Sequence, residues 1–245
     1  MCLFLYFCVG GTIQLLTLTN AKCVLSLTAY FLSVISIMHH DTFFRVALSR
    51  VPKVGPVVSR LLYDHFGIAR AIFEARNKEL KQIEGVGEGT IKRLKASEPL
   101  VEAEQILAHA ERYGVNIVHY TDVDYPLRLK QQYAAPALFY YRGNAALHPK
   151  RSVAIIGTRQ ASHRGIAQTE LLLAGLQTYE PLIISGLAYG IDICAHRIAL
   201  KQGLPTIGVL GSGLNHIYPA AHLSTAREML DNGGLLTMYP HFISP

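Results

Sequence analysis

From Ser152 onward the chain alternates four times between a short apolar run and a helical stretch, and no other feature constrains its fold as tightly. The runs are Val153-Ala154-Ile155-Ile156, Pro181 to Ser185, Thr206 to Leu210 and Gly234 to Met238. Between them lie helical patterns from about Gly165 to Gln177, Gly190 to Gln202 and Ala221 to Asp231. Strands buried on both faces read as near-continuous apolar runs. Strand–helix repeats with short loops predict an α/β fold, a doubly wound, Rossmann-like parallel sheet. Ligands of such sheets sit at the C-terminal ends of the strands.

Three of those strand ends carry glycine-rich loops. The first is Gly157-Thr158-Arg159, and the second runs from Ser185 through Gly186, Tyr189 and Gly190 to Asp192, with His196 and Arg197 beyond it. The third is Gly211-Ser212-Gly213-Leu214, followed by Tyr218-Pro219. Each loop is expected to offer free backbone amides at a helix entrance, the chemistry that holds an anion. Glycine lets a phosphate come close to the backbone. Asp192 and His196 stand four apart on one helix, the spacing of a metal pair or acid–base dyad. With no third ligand nearby, the preferred reading has Asp192 satisfying loop amides and His196 packed beneath the loop. Cys194 reads as a small core residue.

Ahead of the sheet the pattern is helical. Phe43, Val46, Ala47 and Arg50 fall at helix spacing, and Val58, Leu61, Leu62 and Phe66 mark a second helix that opens at Pro56 and closes at Gly67. Ile83-Glu84-Gly85-Val86-Gly87 before Lys92, Arg93 and Lys95 resembles a helix-hairpin-helix, in which a tight glycine turn aims helix amides at a DNA phosphate. Pro52 to Pro56 looks like an earlier copy with Lys53 where the first glycine would stand. Together these predict a small all-helical (helix-hairpin-helix, SAM-like) domain over 39–110 and a Rossmann-like domain over 111–245. Two short strands, Val115 to His119 and Ala137 to Tyr141, are expected near the start of the latter.

Charge bears on the partner. The formal net charge is +6 and the pI about 9.1. From Asp41 to Ser97 there are 11 Lys/Arg against 6 Asp/Glu, but from Arg151 onward 6 against 5. The excess therefore sits in the helical part, and the sheet has to bind an anion through local geometry. The four cysteines, Cys2, Cys8, Cys23 and Cys194, form no C-x-x-C pair, so neither a zinc site nor a disulfide framework is indicated, and a reducing cytoplasm fits. Met1 to Met38 carries a single charge, Lys22. It lacks a basic start for a signal peptide, and Cys23 to Met38, about 16 residues, is short for a membrane span. An upstream extension outside the fold is expected, with the fold beginning near Met38; a membrane anchor and a buried arm are the alternatives.

The order Gly-Thr-Arg, then Ser-Gly-Leu-Ala-Tyr-Gly-Ile-Asp with Ala195-His196, then Leu-Gly-Ser-Gly-Leu with Tyr-Pro resembles the DNA-processing protein A (DprA/Smf) family. The likeness runs from about Phe43 to Tyr239. It implies a single-stranded DNA binder of natural transformation, without catalytic residues, cofactor or metal, that protects incoming strands and helps load the RecA recombinase. It places DNA contacts at Arg159 and in the loop of Ser185, Gly186, Tyr189 and Gly190; the strand-end loops add Gly157, Thr158, Gly211 and Gly213 as candidate contacts, with Arg197 beyond the second loop, and Lys92 and Arg93 join them as hairpin contacts. Members often carry Lys or Arg where this chain has Tyr189, which exchanges a phosphate partner for a ring able to stack on a base. Members also continue past Pro245 and pair as dimers, so the expectation here is an incomplete sheet with the Gly234–Met238 strand uncovered on one side, and a monomer. A membrane is not expected as a partner. The rival readings are a Rossmann-like nucleotide phosphoribohydrolase, although no P-G-G-x-G-T loop with a catalytic glutamate stands out, and a truncated copy without function. A dinucleotide site is excluded by the lack of G-x-G-x-x-G after the first strand.

Overall fold

A computed structural model of the chain describes residues 4–9, 12–17 and 41–244. The first unit contains an antiparallel hairpin of β1 (Phe4–Val9) and β2 (Thr12–Thr17), with Phe4 opposite Thr17 and Val9 opposite Thr12. Aromatic and β-branched residues on both sides of a Gly-Gly pair form a hairpin signature. It lies within the stretch read above as an extension outside the fold. The apolar run from Cys23 to Met38, on which the anchor reading rests, lies outside the described residues. Among the described residues no helix is long and apolar enough to cross a membrane.

The second unit begins with helices: α1 (41–50), α2 (Pro56–Phe66), α3 (Ala69–Glu74), α4 (Asn77–Leu80), α5 (Glu88–Leu94) and α6 (Glu98–Tyr113). The α1–α2 and α4–α5 corners are two versions of one turn. Gly85 has φ +78° and Gly87 caps α5 at φ −90°, ψ 177°. Lys53 has φ +64° and Gly55 caps α2 at φ −81°, ψ 178°. The earlier copy thus keeps the left-handed corner without the glycine, at the strain that a side chain meets there. Arg93 fastens the copies together, its Nε donating to the Pro52 carbonyl at 2.7 Å.

The sheet has six strands in the order β3-β4-β8-β7-β6-β5. These are β3 (Asn116–His119), β4 (Leu138–Gly143), β5 (Ser152–Ala154), β6 (Leu182–Ser185), β7 (Thr206–Leu210) and β8 (Gly233–Thr237). The last four are parallel and joined by α8 (His163–Leu176), α9 (Ile191–Lys201) and α10 (Leu223–Met229); a short α7 (Leu127–Lys130) lies between β3 and β4. The parallel strands follow one another in chain order, so right-handed crossovers put all three helices on one face. The sheet is therefore not doubly wound by its own crossovers.

The other face is covered by the helical segment instead. Ile183 packs with Leu173, Ala195 and Ala199, and Leu210 and Leu235 pack with Ala226 and Met229. Leu182, Ile184, Ile207 and Leu236 point the other way, into one cluster with Leu48, Leu62, Ile72, Ile91 and Leu94. Arg45 of α1 also donates from Nη1 to Asp122 Oδ1 at 2.8 Å, beside β3.

The expectation of an uncovered edge at β8 is corrected. β4 pairs antiparallel with β8, Tyr141 opposite Leu236, and β3 pairs with β4. Four consecutive buried residues, Leu138 to Tyr141, explain the placement, because a strand buried on both faces belongs in a sheet interior. The edge strands are β3 and β5.

Candidate nucleic-acid interface

Because β5 to β8 are parallel, their C-terminal ends and glycine loops emerge along one edge of the sheet. The first two loops are in contact. Gly190 sits at φ +84°, ψ −125°, a conformation open to glycine, and a methyl group there would lie 2.1 Å from the Thr158 carbonyl oxygen. The same carbonyl accepts from Ile191 N at 3.1 Å, so the first loop rests on the entrance to α9.

Beneath them is a polar core. Ser185, 3% exposed, donates its hydroxyl to the Ile155 carbonyl at 2.5 Å and ties β6 to β5. His196 is fully buried between Gly186 O, 2.6 Å from Nε2, and Thr206 Oγ1, 2.7 Å from Nδ1. Burial, ahead of all other influences, pushes its pKa down to about 4, so the ring is neutral at pH 7. A neutral ring donates from Nε2 to Gly186 and accepts at Nδ1 from the Thr206 hydroxyl. His222 holds the loop from the other side, with Nδ1 2.7 Å from the Leu187 carbonyl and its ring edge-on to Tyr189 at 4.9 Å. Asp192 does not satisfy loop amides as expected: it is 8% exposed, and its Oδ1 has no hydrogen-bond partner.

The geometry narrows the expectation of free amides. Ile191 N goes to Thr158 and Ile193 N to Ala188. Gly165 N is capped by Ser162 Oγ at 3.1 Å, and Gly213 N is taken by Ile243 O at 2.8 Å. Short loops between packed elements have to satisfy their own polar groups first. Among the described residues the amides of Thr158, Arg159, Ala188 and Tyr189 have no backbone acceptor.

What remains is a cleft of about 750 Å³. Arg159, Tyr189, Gly190 and Arg197 line it, and so do Gln160, Ala161, Ile166, Glu170, Ile193, Cys194 and Ile198. Gly157 and Thr158 are exposed in the first loop, just before the lining residue Arg159. Arg159 is exposed as well, and Arg197 is held by Nε to Thr225 Oγ1 of α10 at 3.3 Å. Tyr189 is half-exposed. Ser185 and Gly186 support the cleft without lining it. Gly211 and Gly213 do not line the cleft: Gly213 lies under the C-terminal segment, and Gly211 is exposed with open space around it.

Lys92 lies in a separate groove of about 580 Å³, with Asn77, Lys81 and Lys95. Arg93 is committed to Pro52 and Thr90. Cys194 is half-buried in the cleft wall rather than in the core. Sequence reasoning missed the wall formed by Ile166 and Glu170. Their signal was present in the i, i+4 spacing on α8, facing Ile193, Cys194 and Arg197 on α9.

The fold and cleft define a Rossmann-like α/β protein with two arginines lining a cleft at its strand ends. The sequence profile of the DNA recombination-mediator protein A family matches residues 116–245, more than half the chain. The chain belongs to that family. It is 31% identical over 199 residues to protein Smf of Synechocystis, covering 80% of this chain and 50% of that protein. It is also 44% identical over 98 residues to DNA processing protein DprA of Streptococcus pneumoniae, 40% of this chain and 34% of the relative. The chain thus spans half or less of these relatives. The crystal structure of DprA from Streptococcus pneumoniae aligns with a TM-score of 0.60 at 26% identity, over 83% of this chain and 70% of that one.

Proposed function

We propose that the chain binds single-stranded DNA during DNA uptake, protecting incoming strands in the cytoplasm and helping to load the RecA recombinase. Family membership supports the reading, and one observation carries it: Arg159, Arg197 and Tyr189 surround a single cleft where two glycine loops meet. Guanidinium groups supply sequence-independent attraction to phosphates. A half-exposed aromatic ring offers a face for an unstacked base, which a duplex hides. Lys92, in its separate groove, supplies a further positive contact. Gly157, Thr158 and Gly190 shape the loops, with the open amides of Thr158, Arg159 and Tyr189 as further phosphate donors. Binding alone performs this role, so no catalytic group is assigned. Were two chains to pair, contacts along one strand would multiply.

Fluorescence titration of a labelled oligothymidine at several salt concentrations tests the proposal. Affinity should fall with salt, and duplex should bind more weakly. Arg159→Ala should lower affinity on the order of tenfold, the worth of one charge-assisted contact, and flatten the salt slope by about 0.7. A duplex preference, or binding indifferent to salt, overturns it.

A further inference from the structure

The cleft holds a group that phosphate binding does not use. Glu170 lines it from α8, one turn beyond Ile166, and makes no ion pair among the described residues. The Cys194 thiol is pushed up mainly by burial and then by Glu170, while Arg197 draws it down. A carboxylate and a guanidinium thus approach one thiol in the cleft wall. The rest of the wall is largely apolar, with Ala161, Ile166, Ile193 and Ile198. A carboxylate there repels a phosphate, and an apolar wall suits the face of a base.

Resting on the reading of the cleft as a single-strand site, we propose that the groove between α8 and α9 takes one nucleobase and that Glu170 selects a base bearing an exocyclic amine, cytosine, adenine or guanine, over thymine. The strand's phosphates meet Arg159 and Arg197 at the loops, and the base lies against the isoleucines. Glu170 accepts from the exocyclic amine. A carboxylate is the matching acceptor for cytosine N4, whereas thymine offers an oxygen and a methyl group at that position. The preference is superimposed on the sequence-independent backbone contacts.

The test compares equal-length oligomers of deoxycytidine and thymidine at slightly alkaline pH. The native chain should bind the cytidine oligomer more tightly, on the order of tenfold for one such contact. Glu170→Gln should remove most of that ratio, because an amide can also donate to thymine. Arg159→Ala should weaken both oligomers and leave the ratio intact. Equal affinities for the native chain overturn the inference, as does a Glu170→Gln variant that binds both oligomers more tightly by the same factor, for then the carboxylate only repels the backbone. Failure to bind either oligomer refutes the single-strand reading itself and the base preference with it.

Discussion

Gly190→Ala separates the physical arguments most cleanly. The position has φ +84° and ψ −125°, and the new methyl carbon would stand 2.1 Å from Thr158 O and 2.6 Å from the Arg159 carbonyl. Neither obstacle is the end of a flexible side chain, so the first loop or the start of α9 has to move. Holding an alanine in that region costs about 1–3 kcal/mol. Displacing Thr158 breaks its bond from Ile191 N, worth about 0.5–1.5 kcal/mol. The sum is about 1.5–4.5 kcal/mol of stability, and Arg159 moves with the loop. Urea unfolding measures the first effect and oligonucleotide titration the second. Gly175→Ala is the control: it lies exposed in α8 with open space around it and should gain about 0.5–1 kcal/mol. If Gly190→Ala unfolds at the same urea concentration as the native chain and binds as well, the close approach of the two loops is wrong.

Stability should also fall on mild acidification. His196 and His119 have pKa values lowered from 6.5 to about 4 and about 3, chiefly by burial. The unfolded chain therefore takes up protons first, so their contribution is whole above about pH 6.5 and drains as the pH falls towards those values. For His196 alone this approaches 3 kcal/mol in order of magnitude, and a urea midpoint equal at pH 7.5 and pH 5 contradicts it. Arg93→Ala should cost about 1 kcal/mol, since it severs the clamp onto Pro52, with single-strand affinity within about twofold of native. Lys92→Ala should show the reverse, unchanged melting and slightly weaker binding, because its side chain is exposed in an open groove. Ser185→Ala should lower the melting temperature without a direct loss of DNA contact, as its hydroxyl is spent on Ile155; unchanged melting with weaker binding would return Ser185 to the interface.

Much of this was legible in the residues because local rules are decisive there. Thr206 to Leu210 is a strand by its uninterrupted apolar run, and its bounds agree with the structure. The helix read from about Gly165, the cap at Gly67 and the repeated corner at Pro52 to Pro56 and Ile83 to Gly87 follow from spacing. The loops Gly-Thr-Arg and Ser-Gly-Leu-Ala-Tyr-Gly-Ile-Asp pointed to the strand ends where the cleft lies, whereas Gly-Ser-Gly stands apart from it. Tertiary structure decided what each polar group is free to do. Arg93 reads like Lys92 in sequence, yet its guanidinium is spent on Pro52. Ser185 and Gly213 sit in glycine-rich loops, yet one hydroxyl closes a strand pair and one amide is covered by Ile243. β4 between β3 and β8, and the groove that brings Glu170 to Cys194 and Arg197, depend on which distant segments pack together. Spacing along a chain encodes local periodicity; a hydrogen-bond partner tens of residues away is set only when burial makes every polar group find one.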